Sequence, residues 1–406
     1  MPGTFQVSEA VLAHASPAEL GVLVCERQGR PPFAESCYVK RLSVIGKKLG
    51  IRLFAFAPWT WNPRDDSVKG WTWNDKLRDW KPARRKLPSV VYDRAWPESE
   101  EEKLRYRRAL RTIQAAKRLV FLNGMLPHKG KVYEMLARDR ALSAYLPPTA
   151  IYEGVPSLAS WLRKHNRSAF LKPVAGSQGK RVLALALRQD GTVSLTGRDD
   201  RNRPIARSCA DEADALRRID RWIGGRMYLM QPMLDLRSFS GEPYDVRALM
   251  QKNRRGRWSL TGVAARIGSP TSVTANLHGG GTAASAAAAL AAQFGERRGS
   301  ELLEEISGLS SSIASRLEQT FGRFAEIGLD FGIERSGKLW FLEANSKPGR
   351  AAMGSAGEEA AAAAAEQPLS YAKSILLRLA TTDARRPPQG SGCASPGRVI
   401  HEFDHL

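Results

Sequence analysis

The stretch GLDFGIERSGKLWFLEANSKPG, residues 328–349, carries more information about the fold than any other part of the chain. Glu326–Glu334 and Lys338–Glu343 are two apolar-rich runs joined by Arg335-Ser336-Gly337, a composition that predicts a tight antiparallel hairpin. On adjacent antiparallel strands Asp330 and Glu343 point to one face. These two carboxylates and the amide oxygen of Asn345 are hard oxygen donors, the set that suits magnesium while leaving room for phosphate oxygens as further ligands. The neighbouring Trp340-Phe341-Leu342 is apolar, so these carboxylates are expected to be partly buried. Buried carboxylates need partners, and a cation is one.

Working outward, Phe170-Leu171-Lys172-Pro173 reads as a strand that delivers one lysine, followed at once by Val174-Ala175-Gly176-Ser177-Gln178-Gly179-Lys180. Gly176 and Gly179 let the backbone approach phosphate oxygens closely, and Lys172 would neutralise their charge. This is not a Walker loop: Val174 stands where that motif needs glycine, and Arg181 replaces its Ser/Thr. Tyr244-Asp245-Val246-Arg247 places an acid and a base on one face of a strand. Arg266 closes the following strand, ten residues before Asn276 and the triple glycine 279–281. A guanidinium fork suits charge developing on a transferring phosphoryl group. Taken singly, each of these pairs is more often a structural ion pair.

The rest of the chain reads as alternating elements. Leu20–Cys25, Ile51–Ala57 and Pro88–Tyr92 are strands, Val39–Leu49 and Glu101–Lys117 helices, an order that predicts an α/β domain with a parallel sheet. Residues 58–88, rich in tryptophan and proline, are expected to be an irregular insertion packed on that sheet. A strand end at Val120–Asn123, a helix over Lys129–Ser143, a strand over Pro147–Tyr152 and a helix over Ser157–His165 follow. Then come a hairpin ending in Val182–Leu187, a helix at Asp211–Ile223, a strand at Tyr228–Met233, strands at Tyr244–Gln251 and Trp258–Ile267, and a helix over Ser300–Phe321. The division expected is a loose leader (1–18), an N-terminal α/β domain (19–119), a central domain (120–350), an alanine-rich insert with a C-terminal helix (351–380) and a disordered tail (381–406).

Composition narrows the function. The chain has 406 residues and a formal net charge of +21, which attracts polyanions or acidic substrates. No compact nucleic-acid motif accompanies the basic clusters, so a charged, soluble surface is the plainer reading. No apolar run reaches the roughly 18 residues of a membrane span. The first twenty residues lack a secretory signal, and a cytoplasmic location is expected. Cys25, Cys37, Cys209 and Cys393 form no C-x-x-C pair, so reduced thiols are expected rather than zinc. His401-Glu402-Phe403-Asp404-His405 matches H-E-x-x-H by letter, but that chemistry needs a long buried helix and a third ligand, and the match follows a Pro/Gly-rich tail. Asp330-Phe331-Gly332 matches the kinase D-F-G, yet no catalytic loop precedes it.

Together and in order, HKGKVYEML, FLKPVAGSQGK, YLMQPML, YDVRALM, ARI…TANLHGGG and GLDFGIERSGKLWFLEANSKPG resemble the ATP-grasp superfamily in its glutathione-synthetase-like arrangement, over roughly residues 120–350. The Trp-rich GWTWNDKLRDW, the following LPSVVYDR and the final LEANSKPG resemble more narrowly the YheC/YheD-type ATP-grasp proteins, described as endospore coat-associated. The resemblance implies an ATP-grasp fold, α/β and α+β, behind a pre-ATP-grasp domain. It implies Lys131 and Lys172 on the ATP phosphates, Gly176, Ser177, Gln178 and Gly179 as a lid, and Gln231, Met233 and Leu234 in the hinge that reads adenine. It places Asp245 near the ribose or a water, Arg247 and Arg266 as phosphate or acyl-phosphate contacts, and Asp330, Glu343 and Asn345 as ligands of Mg2+ (or Mn2+). The activity implied is ATP-dependent ligation of an unidentified carboxylate to an amine. A coat protein that binds ATP without turnover is the alternative, and a homo-oligomer is common in the superfamily. Thr274, where the glutathione synthetases would have arginine near Asn276, argues against a glutathione-like substrate.

Overall fold

The structure is a computed structural model that describes residues 18–176, 179–270, 274–275 and 280–384. Three sheets organise it. The first carries the N-terminal α/β pattern: β1 (Ala18–Leu23), α1 (Ser36–Lys48), β2 (Ile51–Phe56), β3 (Ser67–Asn74), β4 (Asp79–Lys86), β5 (Val90–Asp93), α2 (Glu100–Ala116) and β6 (Val120–Phe121). Its strand order is β4-β3-β2-β1-β5-β6, with β2, β1, β5 and β6 parallel. The stretch expected to be irregular is instead the β3/β4 hairpin, antiparallel to β2 and extending the sheet. Its tryptophans behave as cross-strand and core residues: Trp73 faces Trp80 in register, and Trp80 meets Phe33 edge-on at 4.8 Å. The high aromatic content that looked like an insertion is β-propensity used on a half-buried ribbon.

The expected helix over Lys129–Ser143 is two, α3 (Lys129–Ala137) and α4 (Arg140–Ser143), because Asp139 stops the first and caps the second through Ala141 N. The small lobe follows: β7 (Ala150–Ile151), α5 (Val155–Lys164), β8 (Ser168–Pro173), β9 (Leu183–Leu187), β10 (Val193–Arg198), β11 (Pro204–Cys209), α6 (Glu212–Ile223) and β12 (Tyr228–Gln231), in sheet order β11-β10-β9-β8-β12-β7. Strands β10 and β11 go beyond the elements expected from the sequence pattern. Helix α6 begins at an Asp211 side-chain cap on Asp214 N and ends at Gly224 in the left-handed region (φ 56°), as its flanking residues dictate. Leu171, Leu183, Leu195 and Ile219 pack between sheet and helices.

The large lobe holds β13 (Tyr244–Lys252), β14 (Trp258–Ile267), β15 (Thr282–Ser285), α7 (Ala286–Phe321), β16 (Glu326–Ile333) and β17 (Leu339–Asn345), ordered β15-β14-β13-β16-β17 and antiparallel throughout. Helix α7 starts earlier than the sequence suggested and breaks at Gly295 (φ 77°). Val246, Ala248, Leu329 and Phe331 face it. The opposite face is covered by the alanine-rich segment, a short 3-10 turn (Ala351–Ala356) and α8 (Glu358–Ala384). Ala352, Met353 and Ala364 pack on Leu249 and Ala264, and a side chain at Gly262 would meet Ala360 Cβ at 2.9 Å. Small residues on both sides let helix and sheet approach closely. Farther along α8, Leu369, Ala372 and Ile375 join the N-terminal core. The 3-10 turn starts at Ala351, and α8 runs on to Ala384. Residues 1–17 of the expected leader, Ser177, Gln178, Asn276 and the H-E-x-x-H match lie outside the described residues.

Candidate active site between the lobes

Strand β8 alternates, so Leu171 enters the small-lobe core and Lys172 emerges on the other face, toward the large lobe. Lys172 is buried. Its Nζ lies 3.3 Å from the Leu342 carbonyl on β17 and 3.4 Å from Tyr133 Oη, and sits 4.8 Å from the centre of that ring. Tyr133 in turn donates to the Leu342 carbonyl at 2.6 Å. Burial, with the nearby Lys129 charge adding to it and Glu343 opposing, pulls the Lys172 ammonium down to about 7.

Glu343 sits opposite Asp330 in the β16/β17 register. Its Oε2 accepts from Lys129 Nζ at 2.6 Å, and its Oε1 is 3.4 Å from Asn345 Nδ2. Burial would raise this carboxyl, but Lys129 outweighs it and holds the group well below the usual carboxylate range. Beside it lies a quartet of buried charges. Arg247 grips Asp330 with two parallel hydrogen bonds, the second at 2.7 Å. Arg266 grips Asp245 at 2.5 and 2.7 Å and reaches Asp330 Oδ2 at 3.0 Å. Two guanidinium forks and two carboxylates leave the quartet neutral, which is how four charges tolerate burial.

The structure therefore brings Lys172, Asp245, Arg247, Arg266, Asp330, Glu343 and Asn345 to one region spanning both lobes. Lys131 is exposed, and it is Lys129 that meets Glu343. A signal for this was present in the sequence. Lys129 and Tyr133 are one helical turn apart on the side of α3 that carries buried Val132 and Leu136, whereas Lys131 falls on the far side. Gln231 ends β12 with its amide donating to Thr149 Oγ1 at 2.8 Å, and Met233 follows with an exposed side chain. Gly176 and Gly179 flank the loop beyond β8. Ser346 and Lys347, next to the acidic strand, are tied to the N-terminal domain: Asn123 donates to the Ser346 carbonyl, and Lys347 Nζ pairs with Asp93 at 2.8 Å.

The donors fit a magnesium ion in part. Glu343 and Asn345 are half-buried, two residues apart on one strand face, and offer a carboxylate and an amide oxygen. Asp330 is only 2% exposed and its oxygens are engaged by two arginines, so its contribution requires those arginines to turn elsewhere. Among the described residues no three His, Cys, Asp or Glu side chains gather as a metal site, so a cation here would rely on ligand oxygens as well.

Residues 118–375 match the family described as YheC/D-like ATP-grasp. The chain belongs to that family. It is similar to two proteins of Bacillus subtilis (strain 168). One is the endospore coat-associated protein YheD, 28% identical over 79% of this chain and 70% of that protein. The other is the endospore coat-associated protein YheC, 25% identical over 78% and 86%. Among solved structures, D-cycloserine synthetase DcsG superposes with a TM-score of 0.51 at 12% identity, covering 89% of this chain and 99% of that one; this likeness concerns the ATP-grasp fold. The match reaches Ala372 and Ile375 of α8, so the helix that packs the alanine-rich face belongs to the family's domain. No helix in the described structure is long and apolar enough to cross a membrane.

Proposed function

We propose that the chain is an ATP- and magnesium-dependent ligase that joins a carboxylate to an amine through an acyl phosphate, in the cytoplasm or in association with the spore coat. The observation that carries this reading is Lys172. A lysine buried between two lobes, its ammonium pulled down to about 7 by burial and by the charge of Lys129, is a site suited to a polyanion. The phosphates of ATP supply that charge. Lys129 and Lys172 would hold them, Arg247 and Arg266 would meet charge on the transferring phosphoryl group, and Gln231–Leu234 would line the adenine. Glu343 and Asn345, with Asp330, would hold magnesium, which when bound neutralises phosphate charge. Attack of the substrate carboxylate on the γ-phosphorus releases ADP. Attack of the amine on the acyl phosphate then releases phosphate and forms the amide. The protein's part is positioning and charge neutralisation.

Titration calorimetry with and without Mg2+, on wild type and Lys172→Ala, tests the site. Magnesium-dependent ATP binding that is lost in the variant is expected; equal affinities would move the phosphate site elsewhere. Because the phosphates favour the charged lysine, binding near pH 8 should also take up a proton, seen as a buffer-dependent heat that Lys172→Ala removes.

A second reading, a coat component that binds ATP without turnover, has one observation in its favour: Asp330 is held by both arginines and is not free for a cation. Phosphate release over a panel of carboxylate and amine pairs distinguishes the two.

A further inference from the structure

On the face of the small-lobe sheet opposite Lys172, a groove of about 530 Å3 opens between α6 and β11. Leu183 and Leu195 form its floor, and Leu183 pairs with Leu171, whose side chain is turned away from the nucleotide cleft. Ile205 and Trp222 form its walls, with Arg207, Arg218 and Arg221 on its rim. The groove is therefore separate from the site described above.

We propose that this groove docks an extended, acidic segment of a partner protein, which adds a strand to the free edge of β11 while its apolar side chains seat on Leu195, Ile205 and Trp222 and its carboxylates meet Arg207 and Arg221. Three independent features fit one occupant. First, β11 is the edge of its sheet, and Ile205 and Arg207 alternate onto the groove side of the strand, the pattern that strand addition reads. Secondly, charge is complementary to an acid. Residues 181–226 carry ten arginines, no lysine and seven carboxylates, a net charge of +3, and the planar fork of arginine is the group that matches a carboxylate. Arg218 is already paired with Asp214, and Asp199 with Arg203, whereas Arg207 and Arg221 have no carboxylate partner among the described residues. Thirdly, the Trp222 indole N–H is buried without an acceptor, with Arg181 stacked 5.3 Å from its ring. A buried donor without a partner is costly, and a turn of the ring toward an occupant's backbone or carboxylate oxygen would relieve it. Arginine and Pro204 on an edge strand also discourage aggregation, but that role explains neither the cavity nor the orphaned indole. A mainly aliphatic floor with one tryptophan favours a peptide over stacked bases.

The test uses the full chain and a fluorescein-labelled peptide alternating glutamate with valine, followed by fluorescence anisotropy. Saturable binding is expected, weakened about tenfold or more, which is about 1.4 kcal/mol, in Arg207→Glu/Arg221→Glu. Both positions are exposed, so the variant should fold, and its ATP affinity should equal that of wild type. A peptide with lysine for glutamate should not bind. A peptide N-methylated at alternate residues should bind more weakly, because strand addition needs those amides. No binding of the acidic peptide, or equal binding by the double variant, overturns the proposal. An oligonucleotide that displaces the peptide, and that itself loses affinity in the variant, would assign the groove to nucleic acid instead. Loss of ATP binding in Lys172→Ala with peptide binding intact keeps this result separate from the fate of the ligase reading.

Discussion

Glu326 and Asp330 stand four residues apart on β16, on the same face of the same sheet, and both are buried carboxylates; yet their surroundings differ in kind. Glu326 is closed in. Arg350 and Tyr92 bond it directly, Gln251 Nε2 donates at 2.9 Å, and Arg94 lies 3.5 Å away. Burial would raise its carboxyl, but Arg350 and Arg94 together hold it low. These partners come from β5, β13 and the segment after β17, so the cluster fastens the N-terminal sheet to the large lobe. Asp330 belongs to a neutral quartet whose neighbours are half-open: Glu343 and Lys129 each keep about a fifth or more of their side-chain surface. Leu249 and Gly328 lie between the two clusters, and Gly328 leaves room for Pro348 and Arg247. A buried charge cluster with every partner supplied by the protein serves structure. One that leaves a lysine near neutrality and a carboxylate at the cleft has capacity left for a ligand.

The largest expected effect breaks the structural cluster. Glu326→Ala strands Arg350 and Arg94 in the interior and should cost about 3–5 kcal/mol of stability, read from denaturant unfolding; a loss under about 1 kcal/mol would mean that the cluster holds nothing together. In the open cluster the effect should fall on turnover. Glu343→Gln should lower Mg-dependent phosphate release on the order of a hundredfold, about 3 kcal/mol, with its unfolding midpoint nearly unchanged. A variant with a clearly lowered unfolding midpoint but normal turnover would reverse the comparison. Between them, Gly262→Val presses on the alanine-rich helix and should cost about 1–3 kcal/mol by overpacking; a neutral result would show that helix to be loosely seated.

Per pH unit, the smallest effect is on pH dependence. An unfolded lysine titrates near 10.5, and Lys172 in the fold near 7. Between those values the unfolded chain holds a proton that the folded chain has released, so ligand-free stability rises with pH across that window and falls as pH drops back toward 7. Below about 7 both forms are charged and the trend stops. The slope, at most about 1.4 kcal/mol per pH unit, should flatten in Lys172→Met. An unchanged slope would place the lysine's proton elsewhere.

The chain's own periodicity determined most of the architecture. The β16/β17 hairpin, the β13/β14 pair, the β8 strand with its lysine and the parallel N-terminal strands were legible because alternation and turn residues are local properties. So were Asp330, Glu343, Asn345, Arg247 and Arg266 as members of one region, since their strands are adjacent in the sheet. Residues whose role depends on packing at a distance were not legible. The tryptophan-rich stretch reads as irregular until β2 supplies an edge to pair with. The alanine-rich run reads as low complexity until Gly262 and Ala264 offer a face shallow enough to receive it. The resemblance points to Lys131, and only the docking of α3 against β17 shows that the Lys129 side of that helix meets Glu343. Tertiary structure alone decided which carboxylate cluster is closed and which one opens onto the cleft. Burial and the count of partners are sums over elements that the sequence keeps far apart, and no local pattern carries them.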